Sequence, residues 1–175
     1  MTTNAVSHRV AAPSSGLLRA MALGALAMAA LQLFVVQVKV VRGASMEPSL
    51  RDGDRLVVDR IVCALGAPSR GDIVVLRSPI ESGVDYVKRV VGVAGDYVAL
   101  RGGVLFINGT AADDSACFPN GCDVAETRVP ESHVFVLGDN RPVSADSRAF
   151  GLVPCELLHG VVRARLWPPA RVAAL

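Results

Sequence analysis

The stretch V-D-Y-V-K-R-V-V-G-V, residues 84–93, decides the fold class of this chain. Its β-branched residues, and the turn-forming residues on either side of it, are typical of a β-strand. Six further runs share this short pattern rich in Val, Leu or Ile: 55–61, 72–76, 96–100, 104–108, 133–137 and 161–167. After residue 40 no stretch keeps the 3.6-residue period of a helix for three turns. The sequence therefore predicts an all-β domain, similar to a barrel or a sandwich.

The segment N-terminal to these strands has the composition of a membrane helix. Between Arg19 and Lys39 lie 19 residues without a formal charge. At about 1.5 Å per residue, this length is close to the ~30 Å of bilayer hydrocarbon. We predict a tail over residues 1–18 and a retained transmembrane helix over 19–38. A cleaved signal peptide is the alternative, but the A-x-A sequence at 25–27 lies inside the apolar run, not after it.

The composition limits the classes of protein to consider. The 175 residues carry a formal charge of +2, and 51% of them are apolar. That length suits one domain, and the apolar content excludes a disordered chain. No cluster of lysine and arginine indicates nucleic acid as a partner. We therefore expect one β-rich domain over 39–167, with a polar, turn-rich stretch at 111–130, and a short, poorly ordered tail over 168–175.

The four cysteines leave several arrangements open. Cys117 and Cys122 are separated by F-P-N-G, which has the composition of a turn. A disulfide between them would fit an oxidising compartment outside the cytoplasm. A zinc site lacks a second ligand pair at zinc spacing, and free thiols are the third possibility. Cys63 and Cys155 either pair with each other or stay buried.

Two segments carry a hydroxyl and an amine that can act together. In G-A-S-M-E-P-S-L, residues 43–50, the small Gly43 and Ala44 leave room for another backbone beside Ser45. In residues 84–93, strand alternation places Lys88 on an otherwise largely apolar face. A desolvated lysine favours its neutral form and can deprotonate a serine as a general base. The ordinary alternative is a lysine that extends to solvent.

A third segment is a dense polar run after an apolar strand: G-D-N-R-P-V-S-A-D-S-R, residues 138–148. Its charged and hydroxyl side chains can form a paired network that holds a lysine amine: Asp139, Arg141, Ser144, Asp146, Ser147 and Arg148. A solvated loop is the alternative. The sequence contains no H-E-x-x-H, Walker, dinucleotide-binding or G-x-S-x-G motif. Nothing local supports a catalytic role for His133 or His159, and we expect both to be structural.

These three segments, with R-G-D-I-V-V-L at 70–76 and F-G-L-V-P at 150–154, together resemble the conserved boxes of type I signal peptidases. These are membrane-bound bacterial serine proteases with a Ser/Lys dyad. The resemblance implies an endopeptidase that removes signal peptides from exported preproteins after small residues at −1 and −3. It implies a single-pass protein of the cytoplasmic (inner) membrane, with its catalytic domain on the extracytoplasmic side and membrane lipid as a partner. It implies no cofactor and no metal, and makes residues 105–132 a variable insertion.

The resemblance also assigns individual roles. Ser45 would be the nucleophile and Lys88 its general base, while Ser144 would orient the lysine amine. Asp146 and Arg148 would shape the surrounding loop, and four residues would lie near the pockets for the substrate: Met46, Leu50, Tyr86 and Val87. The sequence departs from the family pattern at three places, which are Gly43, Ser49 and Pro142-Val143. Gly43 occupies the position where some members carry a second hydrogen-bond donor for the oxyanion, so that donor stays unassigned.

Three other functions remain open at the level of sequence. The nearest is a specialised Ser/Lys peptidase that matures one substrate, such as a conjugative pilin. A self-cleaving repressor shares this chemistry, but the chain has no room for a DNA-binding helix pair. A non-enzymatic, membrane-anchored β-domain would leave Ser45, Lys88 and Ser144 without a common purpose.

Overall fold

The structure is a computed structural model of the chain, and it describes residues 16, 18–26, 36–62, 66–112 and 122–175. The chain divides into two compact units, Met1–Phe34 and Val35–Leu175. In the first unit, residues 18–26 are helical. Among the described residues, no helix has both the length and the hydropathy needed to cross a bilayer. Residues 27–35 of the expected membrane helix lie outside the described part of the chain.

The membrane helix was expected to end at residue 38, and this boundary is wrong because Val36–Val40 form a strand. This strand pairs antiparallel with a second strand, and Val36 lies opposite Asp59. β-branched residues at alternate positions, Val36, Val38 and Val40, fit an extended strand better than a helix. The last residues of the apolar run, 36–38, therefore belong to a strand and not to a helix.

The second unit is built almost entirely of β-structure. Its described strands are β1 (Val36–Val40), β2 (Arg55–Asp59), β3 (Ile73–Arg77), β4 (Asp85–Gly92), β5 (Tyr97–Arg101), β6 (Val104–Ile107), β7 (Thr110–Ala111), β8 (Val124–Arg128), β9 (His133–Leu137), β10 (Val153–Pro154), β11 (Leu158–Trp167) and β12 (Ala173–Ala174). All seven strands predicted from the sequence are present, each within three residues of its expected ends. The prediction missed β1 and the short or polar strands β7, β8, β10 and β12.

The strands form two antiparallel sheets. The larger has the order β1-β2-β11-β3-β4-β9-β10, with β12 also paired to β11, and the smaller has the order β7-β6-β5-β8. Strand β3 lies in the middle of the larger sheet and is buried on both faces. Ile73 and Val75 join one apolar cluster, and Val74 and Leu76 join another. Burial on both faces explains why the apolar residues of β3 are consecutive and do not alternate with polar ones.

The larger sheet curls. Lys39 of β1 forms an ion pair with Asp85 of β4, with 2.9 Å between Nζ and Oδ2. Three strands separate β1 from β4 in the sheet order. In a flat sheet with a strand spacing of about 4.8 Å, the two backbones would lie roughly 19 Å apart. The all-β prediction is confirmed, and the curl brings the two walls of a cleft together.

The C-terminal residues are more ordered than expected. Pro169–Arg171 form a 3₁₀ turn, and Ala173–Ala174 pair with β11. Arg171 donates to Oδ1 of Asp54 at 3.0 Å, and Asp54 is buried. A buried carboxylate is unfavourable without a partner, so this ion pair holds the tail against the domain.

Candidate active site

Ser45 lies in a turn that is anchored on both sides. Gly43 has a φ of +86°, which lies in the left-handed region that glycine adopts without strain. Its N–H donates to Oδ1 of Asp52 at 2.8 Å. Just after Ser45, Met46 and Leu50 are buried in the apolar cluster on one face of the larger sheet. The turn therefore presents the half-buried Ser45 from a fixed base.

Lys88 reaches Ser45 from strand β4. Its Nζ donates to Oγ of Ser45 at 2.8 Å, and only 3% of the residue is exposed. Antiparallel pairing places Lys88 opposite Val74 of β3, and its Nζ lies 5.1 Å from the centre of the Tyr86 ring. Lys88 thus interrupts an apolar face, as the alternation in the sequence predicts.

Burial changes the protonation of this lysine. Desolvation is the largest effect and lowers the pKa of Lys88 to about 8. The carboxylate of Asp146 acts in the opposite direction, the guanidinium of Arg148 lowers the pKa further, and the carboxylate of Asp139 raises it. About a tenth of the amine is therefore neutral at pH 7 and about half near pH 8, so the neutral form that a general base requires is accessible.

The loop after β9 holds the turn that carries Ser45 in place. The backbone N–H of Asn140 donates to the carbonyl of Ser45 at 3.0 Å, and its side-chain Nδ2 donates to the carbonyl of Ala44 at 3.0 Å. A Cβ on Gly138 would overlap the Ser144 hydroxyl and lie 2.6 Å from the carbonyl oxygen of Ser45. A residue without a side chain is therefore required where the loop and the turn meet.

Asp146 and Arg148 organise this loop from within. Asp146 is fully buried, and its carboxylate accepts from Nε and Nη2 of Arg148 at 2.7 Å each. It also accepts from the N–H of Gly138 at 3.0 Å. Arg148 in turn donates to the carbonyls of Arg141 and Ser144, at 2.7 and 3.1 Å. The charged network predicted for this segment therefore exists around these two residues.

Asp139 pairs outside its own segment. Its two carboxylate oxygens accept from Nε and Nη2 of Arg89, at 2.8 and 2.7 Å. Arg89 also approaches Oγ of Ser49, with 3.4 Å between Nη2 and the hydroxyl. Arg89 was not among the candidate residues, and strand alternation places it on the face of β4 opposite to Lys88. This ion pair joins β4 to the loop that surrounds the lysine.

Ser144 lies beside Gly138, where its loop meets the turn that carries Ser45. Its hydroxyl is buried and has no hydrogen-bond partner among the described residues. In this structure the amine of Lys88 donates to Ser45 instead. Ser144 is brought to the site, as expected, but its action on the lysine stays a prediction.

The dyad opens onto a cleft of about 400 Å³. Three of the residues predicted to contact substrate line this cleft with Ser45 and Lys88: Met46, Tyr86 and Val87. Leu50 does not line it and is fully buried in the core. The charged residues Lys39, Arg42 and Asp85 also line the cleft, although the sequence analysis did not select them.

The remaining candidate groups lie away from the dyad. Nδ1 of His133 is 2.9 Å from the carbonyl of Glu131, and Nδ1 of His159 is 3.4 Å from Asp85. Neither histidine lines the cleft. Cys122 and Cys155 form no disulfide with each other, and the other two cysteines, Cys63 and Cys117, lie outside the described residues. The Cys117–Cys122 disulfide therefore stays a prediction.

Comparisons with known proteins show the family of the chain. The family model described as "Signal peptidase, peptidase S26" matches residues 14–167. A signal peptidase I from Bacillus caldolyticus is 37% identical over 156 residues, which cover 81% of this chain and 85% of the relative. Signal peptidase IB from Staphylococcus aureus is 35% identical over 155 residues, 77% of this chain and 80% of the relative.

A solved structure is also similar. The crystal structure of a signal peptidase I from Enterococcus faecalis is 32% identical in sequence and covers 54% of this chain and 96% of that chain, with a TM-score of 0.46. The family model spans most of the chain, and the relatives match along most of their own length. The chain therefore belongs to the signal peptidase family, peptidase S26, and is a serine endopeptidase.

Proposed function

We propose that this endopeptidase removes signal peptides from exported preproteins by acyl-enzyme catalysis with a Ser45–Lys88 dyad. The observation that carries the proposal is the 2.8 Å hydrogen bond from Nζ of Lys88 to Oγ of Ser45. It lies at a cleft and involves a lysine whose pKa burial lowers to about 8. A buried amine within hydrogen-bond reach of a hydroxyl has the geometry and the basicity of a general base.

The reaction follows from these groups. Neutral Lys88 takes the proton of Ser45 while Oγ attacks the scissile carbonyl, and the N–H of Ser45 stabilises the oxyanion. Lys88 then gives the proton to the leaving amine, so that the acyl-enzyme forms with a neutral lysine. Water attacks the ester with Lys88 again as base, and the proton returns to Ser45. Rotation of the Ser144 hydroxyl toward the amine would hold Lys88 in place while Ser45 is acylated.

The cleft suits an extended and narrow substrate. A preprotein segment would add beside β4 and run past Ser45. Tyr86, Val87 and Met46 supply the apolar surface that small side chains at −1 and −3 would contact.

A membrane anchor is the second part of the proposal. We propose that the apolar residues after Arg19 form a single span that ends before Val36, with the β unit on the extracytoplasmic side of the inner membrane. Membrane lipid would then be a partner of the β unit too. The exposed side chains of Val36, Val38, Val40 and Trp167 support this contact.

The test is cleavage of one A-x-A preprotein in mixed micelles of detergent and lipid. The wild type is compared with Ser45→Ala and Lys88→Met, and Ser82→Ala is an exposed control away from the dyad. We expect mass spectrometry to show cutting after the −1 alanine by the wild type and the control alone. Cutting that survives Lys88→Met in a folded protein would overturn the dyad. Cutting of only one member of a preprotein panel would show a specialised peptidase instead.

A further inference from the structure

Two opposite charges meet across the cleft, outside the catalytic dyad. Nζ of Lys39, in β1, donates to Oδ2 of Asp85, in β4, at 2.9 Å, and both residues line the cleft. Three strands of the sheet lie between β1 and β4, so the bond crosses the gap between the walls and does not run along the sheet. We call this ion pair the charged crossing.

The charged crossing lies on the path of a substrate that adds beside β4. Asp85 precedes Lys88 by three residues in the same strand. At about 3.3 Å per residue, this separation is roughly 10 Å along the strand. A bound segment therefore meets the charged crossing about three residues from its scissile bond, on one side of it.

The pair is able to open. The side chains of Lys39 and Asp85 are each 32% exposed, and ion pairs with this exposure contribute little to stability. Asp85 has a second partner, since Nδ1 of His159 lies 3.4 Å from Oδ2. Although partial burial acts to raise it, the hydrogen bond from Lys39 and the charge of His159 lower the pKa of Asp85. Asp85 thus stays ionised, and the ring of His159 remains beside it when Lys39 moves away.

The charges around the opened crossing are not balanced. Apart from Lys88, the cleft is lined by two cations, Lys39 and Arg42, and by one anion, Asp85. Once Lys39 leaves Asp85, it is available for a new anionic partner, whereas Asp85 retains His159. A carboxylate on the substrate therefore gains more at this point than an ammonium group.

Resting on the proposed function, we propose that Lys39 and Asp85 are specificity-determining residues. Their ion pair opens for the substrate, and Lys39 then binds a carboxylate on the substrate about three residues from the scissile bond.

The experiment measures kcat/KM for matched preproteins that differ at one position only. Gln, Glu or Lys is placed in turn at positions −5 and −4 and at each position from +2 to +4, and the small residue at −3 is kept. For the wild type we expect kcat/KM to be highest with Glu, lower with Gln and lowest with Lys at one of these positions. Each step should be roughly two- to fivefold, as for an exposed ion pair. Lys39→Gln should abolish the preference for Glu, and Asp85→Asn should raise kcat/KM for the Gln substrate. Arg60→Gln, an exposed change outside the cleft, should keep the wild-type order.

Failure of this proposal is distinguishable from failure of the proposed chemistry. If the wild type cleaves the Glu, Gln and Lys substrates equally at every position, the proposed role of Lys39 and Asp85 is wrong. An unchanged preference for Glu in Lys39→Gln would have the same meaning, and neither result bears on the proposed chemistry. Cleavage by Lys88→Met would overturn only the dyad. The Ser45→Ala variant is expected not to cleave, so the affinities of the Glu and Lys peptides for it measure the charge preference of binding alone. Equal binding of the two peptides there would reject the role of Lys39.

Discussion

Lys88 carries a cost in stability together with its chemistry. Its side chain is almost fully removed from water, and the pKa falls from 10.5 to about 8 mainly because of desolvation. The folded protein therefore binds the lysine proton more weakly than the unfolded chain does. Below pH 8 the folded state holds an ammonium group that burial disfavours, and this cost disappears as the pH rises toward 10.5.

Replacing this lysine should stabilise the protein near neutral pH. We expect Lys88→Met, which preserves the side-chain length, to raise the free energy of unfolding at pH 7 by roughly 3 kcal/mol, from a pKa difference of about 2.5. The gain should shrink steadily between pH 8 and pH 10.5. Denaturant unfolding of the Val35–Leu175 unit at several pH values measures it. Lys39→Met, at a partly exposed position, is the matched control and should lack this pH-dependent gain; a gain that does not change with pH would contradict the argument.

Among the elements of the fold, the loop over residues 138–148 supplies the charges that shift the pKa of Lys88. Asp146 raises the pKa of Lys88 and Arg148 lowers it, although the two residues are paired with each other. The same loop holds the turn that carries Ser45 through Asn140. The position of the serine and the basicity of the lysine therefore depend on one folded segment.

The midpoint of the pH dependence of cleavage should shift when Asp146 or Arg148 loses its charge. In the wild type we expect kcat/KM to rise with pH through a midpoint near 8, because the neutral form of Lys88 is the proposed base. Asp146→Asn should move the midpoint to lower pH, and Arg148→Met should move it to higher pH. Rates measured from pH 6 to pH 10 on folded protein provide the test. Shifts of both variants in the same direction would show that loop distortion, and not charge, controls the lysine.

At the scale of the whole molecule, the β unit begins at Val35 and includes β1. Strand β1 supplies Lys39 to the cleft and leads directly into the turn that carries Ser45. The unit can therefore be separated from the N-terminal residues only ahead of β1.

A chain that lacks residues 1–34 should fold and cleave, but slowly in the absence of lipid. The reason is that the proposed anchor holds the cleft at the depth where cleavage sites emerge from the membrane. Preprotein cleavage by this chain and by the full chain, with and without lipid vesicles, measures the effect. A chain that lacks residues 1–40 is the comparison and should be less stable, because it loses the pairing of β1 with β2. Equal rates for the shorter and the full chain in all conditions would argue against the anchor.

Much of the fold and the chemistry could be predicted from local sequence. Composition identified seven strands, since β-branched runs between turn residues need little context to be recognised. Alternation along β4 placed Lys88 on an apolar face, and the resemblance to a family paired it with Ser45. The polar segment over 138–148 was recognised as a network because its charges lie close together in the chain.

Local sequence predicts seven of the twelve described strands and the residue types able to do chemistry, whereas the contacts between distant segments are visible only in the folded chain. Arg89 pairs with Asp139 across 50 positions, and Lys39 pairs with Asp85 across 46. Arg171 reaches Asp54 across 117 positions, which orders a tail expected to be poorly ordered. The physical reason is that strand order and the curl of the sheet place these residues side by side, and neither leaves a signal in the residues near each partner.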